Sequence, residues 1–275
     1  MASLLNWFGG SKPAAPPAAP PGRCLKRVAR DVATVRRDHA ASLFAEQREA
    51  VATTVDCVVC GPEGTPYYGG LFHFRVEHPH SYPVENPTCT NLTTGQGRVG
   101  FNPNLYRTGK VCMSILGTWV GPGWNPSHSL SSVLLSIQSL MNDQPYCNEP
   151  GREGVARDDP KNLAYDAFLK YATLKFACVD VLDPAKTSAE PLPAAAKRFC
   201  AERFLERYDK IIEMVDAVDS STAEEVAPVV QHTIRGQYLL VQVGRAMGAR
   251  SGVSLRPRTG VSRHHPVLSA YLLPP

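Results

Sequence analysis

The stretch "FNPNLYRTGKVCMSILGTW", residues 101–119, places one cysteine in an unusual setting. Cys112 lies eight residues after an Asn-Pro-Asn sequence and just before a cluster of Trp, Pro and Gly residues. A buried structural cysteine needs no such turn-forming neighbours, whereas a nucleophile on an exposed, rigid loop does. The stretch therefore raises the hypothesis that Cys112 is a nucleophile, which the rest of the chain has to support.

The segments around this stretch predict an α+β fold built on an antiparallel sheet. β-like runs cover residues 50–61, 71–78, 88–94 and 98–101, and stretches rich in Gly and Pro separate them. Strands joined by turn-length connections form an antiparallel meander rather than βαβ crossovers. We therefore expect a four-stranded antiparallel meander sheet.

Helical patterns flank this predicted sheet. From Arg23, apolar residues recur at helical spacing while Lys and Arg residues occupy the other faces, which predicts an N-terminal helix with a basic outer surface. The segment 129–141 is strongly apolar, and either Ser127 or Ser129 can cap it by accepting a hydrogen bond from a first-turn amide. We expect this second helix to cross the sheet as the central packing element.

Composition divides the chain into four parts. Residues 1–22 are rich in Pro and Ala and predict a disordered arm, and residues 23–160 hold the predicted sheet with its two helices. Residues 161–250 predict a helical extension, and residues 251–275 predict a flexible tail with little periodicity. Within the extension, the periodic patterns cover residues 161–182, 194–218 and 223–247.

The bulk composition excludes several classes of protein. Of the 275 residues, 43% are hydrophobic, so most of the chain can bury a core. The net charge of +4 is mild and the basic residues form no long block, so we expect no nucleic-acid partner. No segment reaches the roughly 20 consecutive apolar residues of a membrane span, and the first residues lack the features of a secretion signal. We expect a cytoplasmic or nuclear protein with reduced cysteines and no membrane partner.

Cys57 and Cys60 form a Cys-x-x-Cys pattern that suggests redox or metal chemistry. The pattern lies inside a β-branched run rather than at the start of a helix, so the two sulfurs should point to opposite faces of the sheet or lie near a bend. A zinc site would need a second cysteine pair, and the remaining cysteines have unrelated spacings. We interpret these thiols as structural and expect neither a metal nor a cofactor.

The surroundings of Cys112 resemble the active-site segment of ubiquitin-conjugating enzymes, in which His-Pro-Asn or a related tripeptide precedes the catalytic cysteine. The segment "GPEGTPYYGGLFHFRVEHPHSYPVENP" resembles the turn and strand series of that family, and "GTWVGPGWNPSHSLSSVLLSIQSLM" resembles its Trp-x-Pro loop and crossover helix. "QPYCNEPG" is similar to the loop that faces the cysteine. The similarity covers roughly residues 23–159 in the correct order and implies the UBC fold.

Details of the catalytic segment, together with the helical extension, resemble the Z-type members of the family. That subtype is charged by the second, dual-specificity ubiquitin-activating enzyme. The chain departs from the common pattern at Asn102, where most members have histidine, although Z-type sequences also carry Asn. The histidine is regarded as structural in the family, and an Asn amide can replace it because the amide both donates and accepts hydrogen bonds.

The resemblance implies a role for each matching residue. Cys112 would carry ubiquitin or a ubiquitin-like protein as a thioester, Asn104 would stabilise the oxyanion or hold the active-site loop, and Asn102 and Pro103 would support that loop. Asn148 and Glu149 both remain candidates for assisting lysine attack, because this loop is about one residue longer than usual. The resemblance further implies an activating-enzyme surface at Lys26, Arg27 and Arg30, and a ligase-binding edge at Pro83, Val84, Trp124, Asn125, Pro126 and Ser127.

Two other functions remain open at this stage. The first is a catalytically weak or inactive ubiquitin-binding protein of the same fold, although such variants lack the cysteine that this chain keeps. The second is a cysteine hydrolase or redox protein that uses Cys112 or the Cys57/Cys60 pair. A conjugating enzyme acts with ligase and substrate partners and depends on ATP and an activating enzyme. That dependence would distinguish it from both alternatives.

Overall fold

One antiparallel sheet organises the part of the chain that the structure describes. The structure is a computed structural model and describes residues 21–183 and 192–221. Four strands follow one another in the order β1-β2-β3-β4, and every neighbouring pair is antiparallel. This is the predicted meander. The strands are β1 (Leu43–Gln47), β2 (Thr54–Cys60), β3 (Leu71–Glu77) and β4 (Thr88–Asn91).

One predicted strand is wrong and one strand of the sheet was not predicted. Residues 98–101 form no strand, and Val99 and Phe101 instead reach the core from a loop. The first strand, β1, lies in a segment for which no strand was predicted, and it pairs along its whole length with β2. Only alternate residues of β1, Leu43 and Ala45, are fully buried, so the segment carries a weak apolar signal.

Two helices cover the inner face of the sheet. Helix α1 (Gly22–Asp38) buries Val28, Val32 and Val35, and its two neighbours in this layer are β1 and α2. Helix α2 (Leu130–Leu140) turns its apolar face into the same core. Its cap is Ser129, whose hydroxyl accepts a hydrogen bond from the Ser132 amide at 3.4 Å while the Ser132 hydroxyl accepts from the Ser129 amide at 3.1 Å. Of the two capping candidates, the structure therefore uses Ser129.

From Pro160 onward the described chain is mostly helical, and it returns to the other side of the sheet. Helix α3 (Pro160–Ala172) continues through a π-helical segment (Thr173–Val179) into the short α4 (Asp180–Leu182). The pattern predicted over 194–218 is split at Arg207 into α5 (Ala194–Glu206) and α6 (Tyr208–Ser221). The predicted helix over 223–247, the tail and nearly all of the N-terminal arm lie outside the described residues.

A second apolar core joins the extension to the outer face of the sheet. Residues Val58, Cys60 and Leu71 point outward from β2 and β3 and are buried by side chains of the extension. An ion pair between Lys210 of α6 and Glu63 links the same two parts. The extension residues of this core are Leu174, Cys178, Val179, Leu192, Ala196, Phe199, Cys200, Phe204 and Ile211.

The Cys-x-x-Cys pair lies across the sheet as predicted. Cys57 belongs to the inner core and Cys60 to the outer one, so the two thiols face opposite sides. Burial raises the pKa of both thiols, and all eight cysteines of the chain are free. Across residues 21–183 and 192–221 there is no group of three metal-ligating side chains. Within the same ranges, no helix has the length and apolar character needed to cross a membrane.

Candidate active site

Cys112 lies at the end of a short two-stranded ladder. Leu105 pairs with Val111, and the Cys112 amide donates to the Asn104 carbonyl at 2.9 Å. The turn between the two segments needs Gly109, because its φ of +88° is left-handed and a Cβ there would lie 2.8 Å from the Asn91 carbonyl oxygen. The Asn91 amide of β4 also donates to the Gly109 carbonyl at 2.8 Å, which attaches the ladder to the sheet. Cys112 itself is only 2% exposed, so the expectation of an exposed cysteine is wrong: the ladder buries it against its neighbours.

Asn102 is the buried anchor of this loop. Its Nδ2 donates to the Tyr67 hydroxyl and to the Leu140 carbonyl, both at 2.9 Å. Its Oδ1 accepts from the Asn104 amide at 3.0 Å. Asn102 therefore donates and accepts at once, which is the behaviour expected if an asparagine replaces the family histidine. Pro103 joins the two asparagines and is partly buried.

Asn104 lies directly across the ladder from Cys112. Its Nδ2 donates to the Cys112 carbonyl oxygen at 2.9 Å, in addition to the backbone hydrogen bond between the same two residues. In this state the side chain holds the cysteine backbone in place. An amide nitrogen carries two N–H groups, and no described residue accepts the second one. The arrangement is compatible with both of the roles considered for Asn104.

The two residues considered for lysine activation have different surroundings. Asn148 is engaged inside the protein: its Nδ2 donates to the Leu140 carbonyl at 2.9 Å and its Oδ1 accepts from Asn142 at 2.7 Å. Glu149 follows it at the end of a 3₁₀ turn (Pro145–Asn148) and is partly exposed. Burial raises the pKa of Tyr165, and the nearby negative charge of Glu149 raises it further. Both side chains are partly exposed, and they differ in that the Asn148 amide makes internal hydrogen bonds while no described residue accepts or donates a hydrogen bond at the Glu149 carboxylate.

A further residue, Tyr106, belongs to the site although it was not among the candidates from the sequence. Interaction with the neighbouring Cys112 raises the pKa of Tyr106, and the charge of Glu149 makes a smaller contribution in the same direction. Tyr106 therefore lies near both Cys112 and Glu149. The sequence carries one signal for it. Leu105 is apolar and lies between Asn104 and Tyr106, and in an extended segment this alternation places Asn104 and Tyr106 on the same face.

The basic residues predicted to face the activating enzyme are divided between two environments. Lys26 and Arg30 are exposed on α1, and a surface pocket of about 650 Å³ lies between the basic side chains and Pro83. Arg27 instead turns inward, where Nε pairs with Asp31 at 2.9 Å and Nη1 donates to the Pro126 carbonyl at 3.3 Å. Its guanidinium therefore ties α1 to the loop before α2.

The residues predicted for the ligase-binding edge come together from two loops. The Trp124 indole N–H donates to the Pro83 carbonyl at 2.8 Å, which joins the loops at one end of the molecule. Val84, 63% exposed, projects from the first loop. The second loop is shaped by Asn125, whose Oδ1 accepts from the Ser127 amide at 2.9 Å. Asn125, Pro126 and Ser127 are all exposed.

Comparison with known proteins gives one family match. The family model described as "Ubiquitin-conjugating enzyme" matches residues 27–173, which include most of α1, the sheet, α2, α3 and the Cys112 loop. The match continues beyond residue 160, the predicted end of the catalytic domain, and the domain boundaries stay predictions.

Individual relatives agree with this match. "Ubiquitin-conjugating enzyme E2 Z" of Homo sapiens is 41% identical over 188 residues, or 68% of this chain and 51% of that protein. The protein of the same name from Danio rerio is 40% identical over 188 residues, or 68% of this chain and 56% of its own length. "Dual E2 ubiquitin-conjugating enzyme/E3 ubiquitin-protein ligase BIRC6" of Homo sapiens is 38% identical over 167 residues, which are 56% of this chain and 3% of that protein. The chain thus spans about half the length of the E2 Z proteins, and the predicted resemblance to Z-type members is confirmed.

Proposed function

The chain belongs to the ubiquitin-conjugating enzyme family, and from this premise we propose that it accepts a modifier from an activating enzyme as a thioester on Cys112. The modifier is ubiquitin or a ubiquitin-like protein, and the acceptor is a substrate lysine or the cysteine of a ligase. The observation that carries the proposal is the pairing of Cys112 with Asn104 across the ladder, on a loop fixed by Asn102. The same pairing argues against the catalytically weak or inactive alternative.

Loading of Cys112 requires little assistance from neighbouring bases. The modifier moves from one thiol to another, so a thioester bond breaks as an equivalent one forms and the leaving group is a thiolate. A strong general base beside Cys112 would also activate water against the stored thioester. Among the described residues, the hydrogen bonds of Cys112 are both made with Asn104, which is not such a base.

Transfer to lysine is the step that needs an acceptor. The attacking amine must lose a proton, and a carboxylate close to the thioester lowers the cost of that loss. We assign this role to Glu149, because the Asn148 amide donates a hydrogen bond to the Leu140 carbonyl and accepts one from Asn142. The charge of Glu149 acts on Tyr106, which lies on the same ladder as Cys112, so this charge lies on the side of the nucleophile.

Glu149→Gln is expected to slow discharge to free lysine by about tenfold at neutral pH while leaving loading unchanged. The expected loss is smaller than the roughly 10²-fold or more of a dedicated base, because Gln keeps an acceptor oxygen. The deficit should shrink as pH approaches about 10.4, where free lysine deprotonates without help. Discharge is measured in a single turnover after loading. The control is Glu153→Gln, an exposed carboxylate four residues away, and an equal loss in both variants would contradict the assignment.

Two surfaces are proposed for the partners. Lys26 and Arg30 are exposed cations on α1 that fit an acidic activating enzyme, and complementary charge of this kind chiefly raises the association rate. Arg27 stabilises the ligase-binding edge, because its guanidinium donates a hydrogen bond to the Pro126 carbonyl. The edge itself offers Val84 to an apolar ligase surface. We further propose a cytoplasmic or nuclear location, since eight free thiols fit a reducing compartment.

The test of the proposed function is a loading reaction. The purified chain is mixed with ATP, ubiquitin and each of the two types of ubiquitin-activating enzyme, and the products are separated on a gel without reductant. A band heavier by one ubiquitin that disappears on treatment with thiol supports the proposal, and the enzyme that produces it identifies the partner. If neither enzyme produces a band with ubiquitin or with ubiquitin-like proteins, the chain is a binding protein and the proposal is wrong.

A further inference from the structure

The loop after the Cys112 segment, residues 117–123 and here called the apolar loop, exposes two large apolar side chains. Trp119 is 47% exposed and Val120 is 91% exposed, and neither belongs to the two apolar cores. The indole N–H of Trp119 has no acceptor among the described residues, whereas that of Trp124 is hydrogen-bonded. Adjacent apolar side chains that remain exposed mark an interaction surface more often than single ones do.

Hydrogen bonds fix the backbone at the start of this loop. The Thr118 hydroxyl donates to the Val111 carbonyl at 2.7 Å and accepts from the Met113 amide at 2.9 Å. Just before the loop, the Leu116 carbonyl accepts from the Asn86 side chain at 2.9 Å. Side chains carried by a fixed backbone lose less conformational entropy when a partner binds, so the apolar loop is preorganised for contact.

Thr118 and Asn104 hold opposite edges of the segment that carries Cys112. The Cys112 amide donates to the Asn104 carbonyl, and the Asn104 side chain donates to the Cys112 carbonyl. The Val111 carbonyl and the Met113 amide, one residue to either side, are bonded to Thr118 instead. Because backbone polar groups alternate between the two edges of a strand, the cysteine lies between Asn104 at one edge and the start of the apolar loop at the other.

The apolar loop lies on the side where a modifier would leave the cysteine. In a thioester, the carbonyl carbon is bonded in one plane to the Cys112 sulfur, to the oxygen and to the last residue of the modifier. An oxygen stabilised by the second side-chain N–H of Asn104 points toward that residue. The modifier chain then leaves from the opposite side of the carbonyl, which is the side of Thr118 and the apolar loop.

We propose that the apolar loop binds the C-terminal tail of the modifier carried on Cys112, with Trp119 and Val120 covering apolar side chains of that tail. This inference rests on the proposed function of the chain. A modifier joined to Cys112 is held beside the loop by a covalent bond, so its effective concentration is high and a small contact suffices. The indole N–H of Trp119 donates to a backbone carbonyl of the tail. The loop thereby favours modifiers whose tails carry apolar residues.

The first test measures the oxidation of Trp119 by hydroxyl radicals, read by mass spectrometry, in the free and the loaded protein. Cys112→Ser is loaded with ubiquitin by an activating enzyme and ATP, because the ester that forms on serine hydrolyses more slowly than a thioester. We expect loading to lower the oxidation of Trp119 by about threefold, since burial of a half-exposed ring removes most of its accessible surface. Trp124 is the internal control, because its indole is already bonded to Pro83 and should be oxidised equally in both states.

The second test compares Val120→Ser with wild type in single-turnover discharge to free lysine without a ligase. We expect the variant to be about threefold slower, because the thioester carbonyl is positioned less often beside its donor when the tail loses an apolar contact. Val51→Ser is the matched control and should discharge like wild type. Val51 is an exposed valine between β1 and β2, at the edge of the sheet opposite β4 and the Cys112 ladder.

Equal oxidation of Trp119 in the free and the loaded protein would overturn the proposal, as would discharge of Val120→Ser at the rate of Val51→Ser. A loss that occurs only when a ligase is added would assign the apolar loop to the ligase-binding edge and would also overturn it. If the wild-type chain accepts no modifier on Cys112, the loading gel shows this before either test, and the inference falls together with the proposed function.

Discussion

Asn104→Ala is expected to slow transfer from the Cys112 thioester to free lysine by about 10²-fold or more, the effect of removing one donor from an oxyanion site. The side chain is already held beside the reacting residue by its 2.9 Å hydrogen bond to the Cys112 carbonyl. Its second N–H, which no described residue accepts, is the one available to an oxyanion. Because this donor is positioned before the reaction, little reorganisation is needed when charge develops on the thioester oxygen.

Loading should fall less than discharge in the same variant. A thiolate both attacks and leaves during loading, so that step has the lower barrier and depends less on a single donor. Loading and discharge are measured separately in single turnovers with one preparation of Asn104→Ala. An equal loss in the two steps would contradict the oxyanion role and leave Asn104 as the residue that shapes the Cys112 backbone.

Phe204→Ala is expected to lower the free energy of unfolding by about 3–5 kcal/mol, the range for truncating a buried phenylalanine. Phe204 is 1% exposed and packs edge to face with Tyr208, with 5.8 Å between ring centroids. It lies in the second core, where the extension covers the outer face of the sheet. A loss of this size is a large share of the 5–15 kcal/mol typical of a domain, so the catalytic domain would become marginal.

Urea unfolding monitored by circular dichroism measures this effect. Arg198→Ala on the same helix is the control, because its ion pair with Glu202 is exposed and contributes at most about 1 kcal/mol. If Phe204→Ala unfolds at the wild-type midpoint, α5 does not belong to the cooperative unit of the sheet. The extension would then be an independent attachment rather than part of the fold that supports the active site.

The apolar pattern predicted the class of the fold but not every strand. The meander, the N-terminal helix and α2 follow from periodicity and turns, and all three are present. Strand β1 was missed because Leu43–Gln47 is short and includes Glu46 and Gln47. Conversely, the run at 98–101 resembles a strand, although its apolar side chains reach the core from irregular backbone. Strand pairing depends on distant partners, which local sequence does not contain.

The break at Arg207 illustrates the same limit for helices. No Gly or Pro interrupts the pattern over 194–218, so nothing local predicts an end there. The break allows α6 to turn back toward the sheet, where Ile211 joins the outer core and Lys210 reaches Glu63. Tertiary packing therefore determines where this helix ends.

The candidate site was predictable as a set of residues but not as a set of contacts. Cys112, Asn102 and Asn104 were recognised from one segment, and the structure brings them together. The proposed choice of Glu149 over Asn148 rests on the internal hydrogen bonds of Asn148, which are a property of folded geometry that sequence does not show. Arg27 presents the same problem, because the family resemblance placed it on a docking surface while its contacts point inward.

The measurement that tests the account most directly is the loading reaction repeated with Cys112→Ala and with Cys147→Ala. Cys147 is the appropriate control because its thiol is more accessible than that of the buried Cys112 and lies in the loop that carries Asn148 and Glu149. The account predicts that the thiol-sensitive, ubiquitin-sized shift vanishes in Cys112→Ala and persists in Cys147→Ala. A shift that survives the loss of Cys112 would place the carrier on another cysteine and contradict the central claim.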